Sequence, residues 1–582
     1  MDVQAMLDQG REHHRAERYG DAGRCYKAVL EADPDNVDAL NLMSALAQMV
    51  GDNQMAANLA MQAIRLQPDW HAPYVALGNA CHAGGRLDMA VDAFQKAVTL
   101  CPDAPEAYLN LANVLNELGR HAEAAKMAVE AVVINGSMAE AHNAFGNALA
   151  GMNSPEEAVE AYQKAVYLRP DWDVPWFNIG VALAAQGKHV EALASYRHSI
   201  GLLDSPVKRY NLANSLAAEG RLAEAVTEYR IALAQAPDYV DAYNNLGATL
   251  KDMERLDEAE ASLQSGLQRA PDCADLHWNL SLVQLMKGDW ANGWREYEWR
   301  WKMPTFAPFL REFPVPQWRG EDLTGKTILV TAEQGFGDAI EFCRLAPLLT
   351  ARGGKVVLEC RKGLQRLFAS LAGVERVVAP GDDYGAFDFV VPLMSLPYRL
   401  GLTLQDVPAT IPYLSVPTAA ATFADVAGLD GLKVGLVWAG GATRRDNAQR
   451  SCRAADFRPL LDLPGCRFFS LQVGPEAAQV ADLPGVVDLA PRLGDFADTA
   501  AALAALDMLV SVDTGVVHLA GALGKPVRVL LSRPSNGFLW MLGRADSPWY
   551  PGDFRLLRQE RANDWAGLVG RVAAELQERA GA

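Results

Sequence analysis

The 582-residue chain, half of it hydrophobic with a mean hydropathy near zero, is too long for one core, so two to four domains are expected. No apolar run approaches the roughly 18 residues that span a bilayer, which argues against membrane insertion. The net charge of −18 sits almost wholly in the first half: residues 1–324 carry 27 Lys+Arg against 44 Asp+Glu, and residues 325–582 carry 26 against 27. An acidic first half argues against nucleic acid, which needs a basic footprint, while a near-neutral second half leaves room for an anionic ligand.

Met1-Asp2-Val3-Gln4 lacks a basic region and an apolar core, so no secretory signal is expected. The eight cysteines (25, 81, 101, 273, 343, 360, 452, 466) form no CxxC pair. They read as thiols of a reducing compartment, and a cytoplasmic location follows.

In chain order, small residues recur at Ala22, Ala56, Ala90, Ala124, Ala158, Ala192, Ala225 and Ala259, in steps of 34 with one of 33. Four positions on stand Tyr26, Ala60, Phe94, Ala128, Tyr162, Tyr196, Tyr229 and Leu263. Twelve positions on come Pro34, Pro68, Pro102, Gly136, Pro170, Asp204, Pro237 and Pro271. A small residue lets antiparallel helices approach, an i+4 filler packs on the same face, and proline stops the second helix. The pattern resembles the tetratricopeptide repeat family over residues 3–302, as eight repeats and a terminal one. Gly136 and Asp204 depart from it only in the loops.

In such arrays each first helix lines a concave groove. Asparagines recur on those helices at Asn110, Asn178, Asn211, Asn245 and Asn279, with a second set at Asn79, Asn113, Asn147 and Asn214. A ladder of amides can pair with an extended peptide backbone whatever its side chains. The same asparagines are also ordinary repeat chemistry, and the sequence leaves both readings open. The stretch 288–301 ends the array with Trp290, Trp294, Trp299 and Trp301, an aromatic density that suggests packing on the next domain and a fixed junction. Residues 303–324, with four prolines, read as an extended linker.

From Gly325 apolar runs alternate with helical patterns: Thr327–Thr331, Lys355–Glu359, Phe387–Val391, Lys433–Trp438, Arg467–Leu471, Met508–Val512 and Val527–Leu531. Buried strands alternating with helices imply parallel sheets. A proline-rich stretch at 407–417 divides them into lobes at 325–417 and 430–582.

Two strand-to-helix turns carry the candidate chemistry. Gln334-Gly335-Phe336-Gly337-Asp338 follows the first strand and opens a helix expected at Ala339–Thr350. Glycines there admit a ligand to the backbone, and a helix N-terminus favours an anion. Ile340 stands where a dinucleotide fingerprint needs its third glycine, and Asp338 also fits a helix cap. Ser511-Val512-Asp513-Thr514-Gly515 ends another strand, and His518, the second half's one histidine, follows a turn into the next helix.

With these turns, residues 325–582 resemble glycosyltransferases of the two-Rossmann-lobe (GT-B) fold, of the ADP-heptose heptosyltransferase group. The resemblance implies that Asp338 is the catalytic base, and Gly335 and Gly337 beside it are expected to bind the donor. It implies that Asp513, Thr514, Gly515 and His518 hold a nucleotide sugar, and that Arg450 and Ser451 meet its phosphates. Arg444, Arg445 and Arg453 crowd the same loop, and Gln472 at a strand end is a further donor candidate. Arginine forks suit phosphate oxygens. No Asp-x-Asp signature stands at a strand end of the second lobe, so neither metal nor cofactor is expected.

The whole arrangement resembles bacterial flagellin-modifying glycosyltransferases with tetratricopeptide repeats and, by architecture, nucleocytoplasmic O-GlcNAc transferases. It implies transfer to Ser or Thr of a protein, flagellin first, with inversion the favoured mechanism although the residues leave the stereochemical outcome open, and the flagellin-modifying group implies a nonulosonic acid on CMP as donor. The loop Ser532–Gly537 matches no heptosyltransferase pattern, which leaves the donor open. Two other readings stand beside this one. A glycan acceptor would make the chain a heptosyltransferase-like enzyme, although a polysaccharide offers no backbone for an asparagine groove to read. A scaffold with an inactive transferase domain would not need the intact Asp338 and Asp513.

Overall fold

A computed structural model describes residues 2–441, 447–534 and 537–581. Among these, residues 3–297 form eighteen α-helices, paired as the repeat period predicts. The eight recurring alanines are all fully buried. The filler four residues on has a partner that the period did not reveal. A β-carbon on Gly10, Gly78, Gly146, Gly180 or Gly247 would lie 2.5 Å from the side chain of Tyr26, Phe94, Tyr162, Tyr196 or Leu263 respectively. In these five repeats the first helix thus offers bare backbone to the filler of the second, while Ser44, Ala112 and Ala213 stand at that position opposite Ala60, Ala128 and Tyr229. Where Asp204 replaces proline, its carboxylate accepts from both Nε and Nη2 of Arg209 at 2.9 Å and from Gln235 at 3.0 Å, tying the loop by side chains instead.

The chain divides into two compact units, Met1–Ala242 and Tyr243–Ala582. The division falls inside the helix Val240–Asp252, so the last helices of the array share a unit with the sheets. That second unit contains a four-stranded sheet, order β3-β2-β1-β4, and a six-stranded one, order β10-β9-β8-β5-β6-β7. The first comprises β1 (Thr327–Thr331), β2 (Lys355–Glu359), β3 (Arg376–Val378) and β4 (Phe389–Pro392). The second comprises β5 (Leu432–Val437), β6 (Cys466–Ser470), β7 (Val487–Asp488), β8 (Met508–Val512), β9 (Val527–Leu531) and β10 (Phe554–Arg558). Every strand pair is parallel, as continuous apolar runs require.

Strands β4, β5 and β6 lie one or two residues from their expected bounds, and β3, β7 and β10 carried too short or too charged a pattern to be read. The expected helix Ala339–Thr350 is broken into Phe336–Phe342, a 3₁₀ turn Cys343–Leu345, and Ala346–Thr350. Pro347 has no N–H to continue the ladder. Residues 303–324 do more than connect: Trp318 is fully buried, its backbone N–H donates to Val390 O at 2.8 Å, and Val390 N–H donates to Pro316 O at 3.1 Å.

The tryptophan-rich tail packs into this unit. Trp290 stacks on Trp549 at 4.8 Å, and Trp294 meets Phe342 and Phe538 edge-on at 5.6 and 6.0 Å. Trp299 instead stacks on His277 at 3.7 Å, with Lys302 above it. Among the described residues no helix is long and apolar enough to cross a membrane.

Candidate active site at two strand ends

The two turns meet. The chain leaves β1, runs through Glu333, Gln334 and Gly335, and enters the helix Phe336–Phe342. It leaves β8 through Asp513 and Thr514 into the helix Gly515–Ala522. A β-carbon on Gly515 would lie 3.4 Å from Gly337 N, and one on Gly337 would lie 3.0 Å from Cδ2 of His518. The tight contact is the one at Gly337, where a side chain would crowd the His518 ring, and ligands in parallel sheets bind at strand carboxyl ends of this kind.

Asp338 sits at the third position of its helix, half-buried, and its Oδ2 accepts from the Gly335 N–H at 3.0 Å. The carboxylate therefore does cap the helix. Across the turn, Arg450 Nη1 lies 3.9 Å from Asp513 Oδ2. Gly440 makes room for that guanidinium, since a β-carbon there would stand 2.4 Å from Arg450 Nη2. Thr514 is buried with its hydroxyl 3.1 Å from that of Ser511.

Two expected donor residues spend their side chains on the loop itself. Gln472 Oε1 accepts from the N–H groups of Trp438 (3.1 Å) and Ala439 (2.9 Å), while its Nε2 donates to Ala439 O (3.2 Å) and Val473 O (3.0 Å). Its amide clamps the end of β5. The Ser451 hydroxyl accepts from Gly440 N–H at 3.2 Å and bonds Asn447 at 3.1 Å, shaping the same loop. Arg453 is exposed, its N–H donating to Asp456 at 2.8 Å. Arg444 and Arg445, and Ser535 and Asn536 of the unmatched loop, lie outside the described residues.

Beneath the turns lies a group that the sequence reading missed. Glu341 is fully buried one turn after Asp338, and its Oε2 stands 3.3 Å from Nδ1 of His518. The same Nδ1 lies 3.0 Å from the Tyr550 hydroxyl, and the imidazole stacks on Trp540 at 5.1 Å. Burial pushes the Glu341 carboxyl well above its ordinary range, and the charges of Asp338 and Asp513 add to this while Arg344 opposes it. Burial pulls His518 down to about 4, Asp513 pushing the other way. Arg344 lies behind the pair, 4.1 Å from the Tyr413 ring and 4.8 Å from that of Tyr550. A lone acid inside the apolar stretch Ala339–Phe342 was the available signal.

The array's asparagines bond largely to each other. Asn110 donates to Asn79 (3.0 Å), Asn178 to Asn143 and Asn147 (3.0 and 3.2 Å), and Asn279 to Asn244 (2.8 Å). Asn244 donates weakly to Asn245 (3.4 Å), and Asn211 turns back to Val207 O (2.8 Å). All five expected positions are half-buried.

Known proteins agree with this division. Models described as TPR repeat match residues 78–119 and 213–254, and Tetratricopeptide repeat models match 7–47, 106–135, 143–202 and 249–293. A model of glycosyltransferase family 9 (heptosyltransferase) matches residues 475–538, a stretch that contains β8, its turn and His518; the loop Ser532–Gly537, expected to lack a heptosyltransferase counterpart, falls inside this match. The chain thus carries tetratricopeptide repeat matches along its first half and a glycosyltransferase family 9 match within its second.

Protein FlbA of Caulobacter vibrioides is 29% identical over 60% of this chain, and the chain spans 63% of that relative's length. Among solved structures, the MamA protein is 26% identical, covering 29% of this chain and 92% of its own with a TM-score of 0.26. A thermophilic TPR protein in Thermus thermophilus is 26% identical, covering 31% and 98% with a TM-score of 0.28.

Proposed function

We propose that the chain is a GT-B protein glycosyltransferase, moving a sugar from a nucleotide donor to a Ser or Thr hydroxyl of a protein, flagellin first among candidates. The observation that carries this reading is the close approach of Gly337 and Gly515, which brings together the two strand-end turns that hold Asp338 and Asp513. A family 9 match over the second turn supports it.

In this scheme Asp338 takes the proton of the acceptor hydroxyl as that oxygen bonds the anomeric carbon. The bond from that carbon to the phosphate oxygen breaks with inversion, and the electron pair leaves on the nucleotide. Arg450 and the N-terminus of the helix Gly515–Ala522 meet the growing phosphate charge. The repeat groove raises the acceptor's effective concentration at the site. A nonulosonic acid on CMP is the donor proposed for a flagellin acceptor, and the cytoplasm, where nucleotide sugars are made, is the proposed location.

A glycan acceptor is the second reading, favoured by the heptosyltransferase description of the matched family. Intact-mass measurement of flagellin co-expressed with this chain separates the two. A sugar-sized gain supports the protein acceptor. Unmodified flagellin together with turnover on a lipopolysaccharide core supports the glycan.

A further inference from the structure

The terminal repeat reaches into the turn that carries Asp338. Tyr297, the last residue of the helix Trp290–Tyr297, is 1% exposed, and its hydroxyl accepts from Gln334 Nε2 at 2.7 Å. Gln334 precedes Gly335, whose N–H holds Asp338 Oδ2. One residue earlier, Glu333 takes Nη2 of Arg300 at 3.1 Å. Arg300 is itself fully buried, with Nη1 on Glu298 at 2.6 Å and Nη2 on Ser395 at 2.8 Å. Two polar groups of the array's end thus grip consecutive residues of the turn.

Apolar packing alone would have fixed the junction, because Trp290 and Trp294 already bury themselves there. A buried guanidinium adds a desolvation cost, tolerable only where carboxylates and hydroxyls meet it in defined geometry. What such an arrangement confers is direction. We infer that Tyr297 and Arg300 are positioning residues for the Asp338 turn, so that the terminal repeat completes the catalytic centre as well as ending the array. This rests on the reading of Asp338 as base.

The phenol lies close enough that the Asp338 charge adds to the burial that raises its pKa. Trp278, beside the groove residue Asn279, packs 5.1 Å from the Tyr297 ring, which gives the groove a short path to the same turn.

The test uses the full chain. Tyr297→Phe keeps the ring and its contacts with Trp294 and Phe538 but removes the acceptor for Gln334. Gln334→Leu removes the same bond from the other side and carries the test if Tyr297→Phe melts. The readouts are the initial rate of mass gain on co-expressed flagellin and the calorimetric affinity for whichever of ADP, UDP, GDP and CMP binds the unmodified chain best. Transfer is expected to slow about 10-fold with nucleotide affinity within about twofold, since small misplacements of a base are costly. The double variant should be no slower than the slower single, because both remove one contact. Normal transfer by Tyr297→Phe, with Asp338→Asn inactive, overturns this inference and leaves the Asp338 reading standing. A parallel loss of nucleotide affinity assigns Tyr297 a merely structural role and also overturns it. Normal transfer by Asp338→Asn removes the reading and the inference together.

Discussion

The carboxylate of Glu341 lies 3.3 Å from Nδ1 of His518, both side chains sealed from solvent, one from each of the two sheets' strand-end helices. Burial favours the neutral form of each. Glu341 stands one turn after the candidate base Asp338, on the same helix.

Glu341→Gln copies the protonated acid in shape. Because the folded pKa of Glu341 is raised, its favourable contribution is complete below the ordinary carboxylate value and is lost as pH rises toward the folded one. The variant should thus come closest to the unmodified chain at the acid end, near pH 5, where the loss has only begun, and become progressively the more stable of the two toward pH 8. Urea unfolding at both pH values measures the gap, and a gap that closes with rising pH contradicts the assignment.

Gly440→Ala should imitate Arg450→Ala. The added β-carbon falls 2.4 Å from Arg450 Nη2, so the guanidinium must shift, and the expected shift is away from Asp513. Nucleotide affinity is expected to fall about 10-fold in both variants, in line with one lost charge-assisted contact of roughly 1.5–3 kcal/mol. Calorimetry with the best-binding nucleotide checks this, and unchanged affinity in either variant puts the phosphates elsewhere.

A fragment of residues 243–582 should fold, whereas 303–582 should not. The shorter piece lacks Trp290, Trp294 and Tyr297 and exposes Phe342, Phe538 and Trp549. Each aromatic buries about 150–250 Å², at about 25 cal/mol per Å², against a total stability of about 5–15 kcal/mol. Calorimetric melting of both fragments decides it, and a cooperative transition in 303–582 shows the junction to be dispensable.

Replacing Asn178, Asn211, Asn245 and Asn279 by alanine should weaken acceptor binding while nucleotide affinity stays put. The amide bonds among repeats will also be lost, at about 0.5–1.5 kcal/mol each, so a modest fall in melting temperature accompanies it. Binding of flagellin to the quadruple variant is the measurement, and normal binding leaves the ladder as repeat chemistry alone.

The array was legible because every element of its period has a local cause: a small residue, a filler, a helix stop. The strands β1, β2, β8 and β9 were legible because parallel strands are apolar throughout. Gln472 shows the limit, since its strand-end position marked it as a ligand while its side chain reaches across to clamp β5. Tyr297 and Arg300 lie 37 and 33 residues from the turn they hold, a pairing no local pattern encodes. The asparagine ladder was visible as spacing, but its bonds between repeats were not.

Asp338→Asn tests the central claim most directly. Asparagine keeps an oxygen for the Gly335 N–H, so the helix cap survives while the proton acceptor is lost. Transfer to co-expressed flagellin, read by intact mass, is expected to fall about 100-fold or more with nucleotide affinity unchanged. Near-normal transfer by the variant would leave Asp338 as a cap and contradict the account.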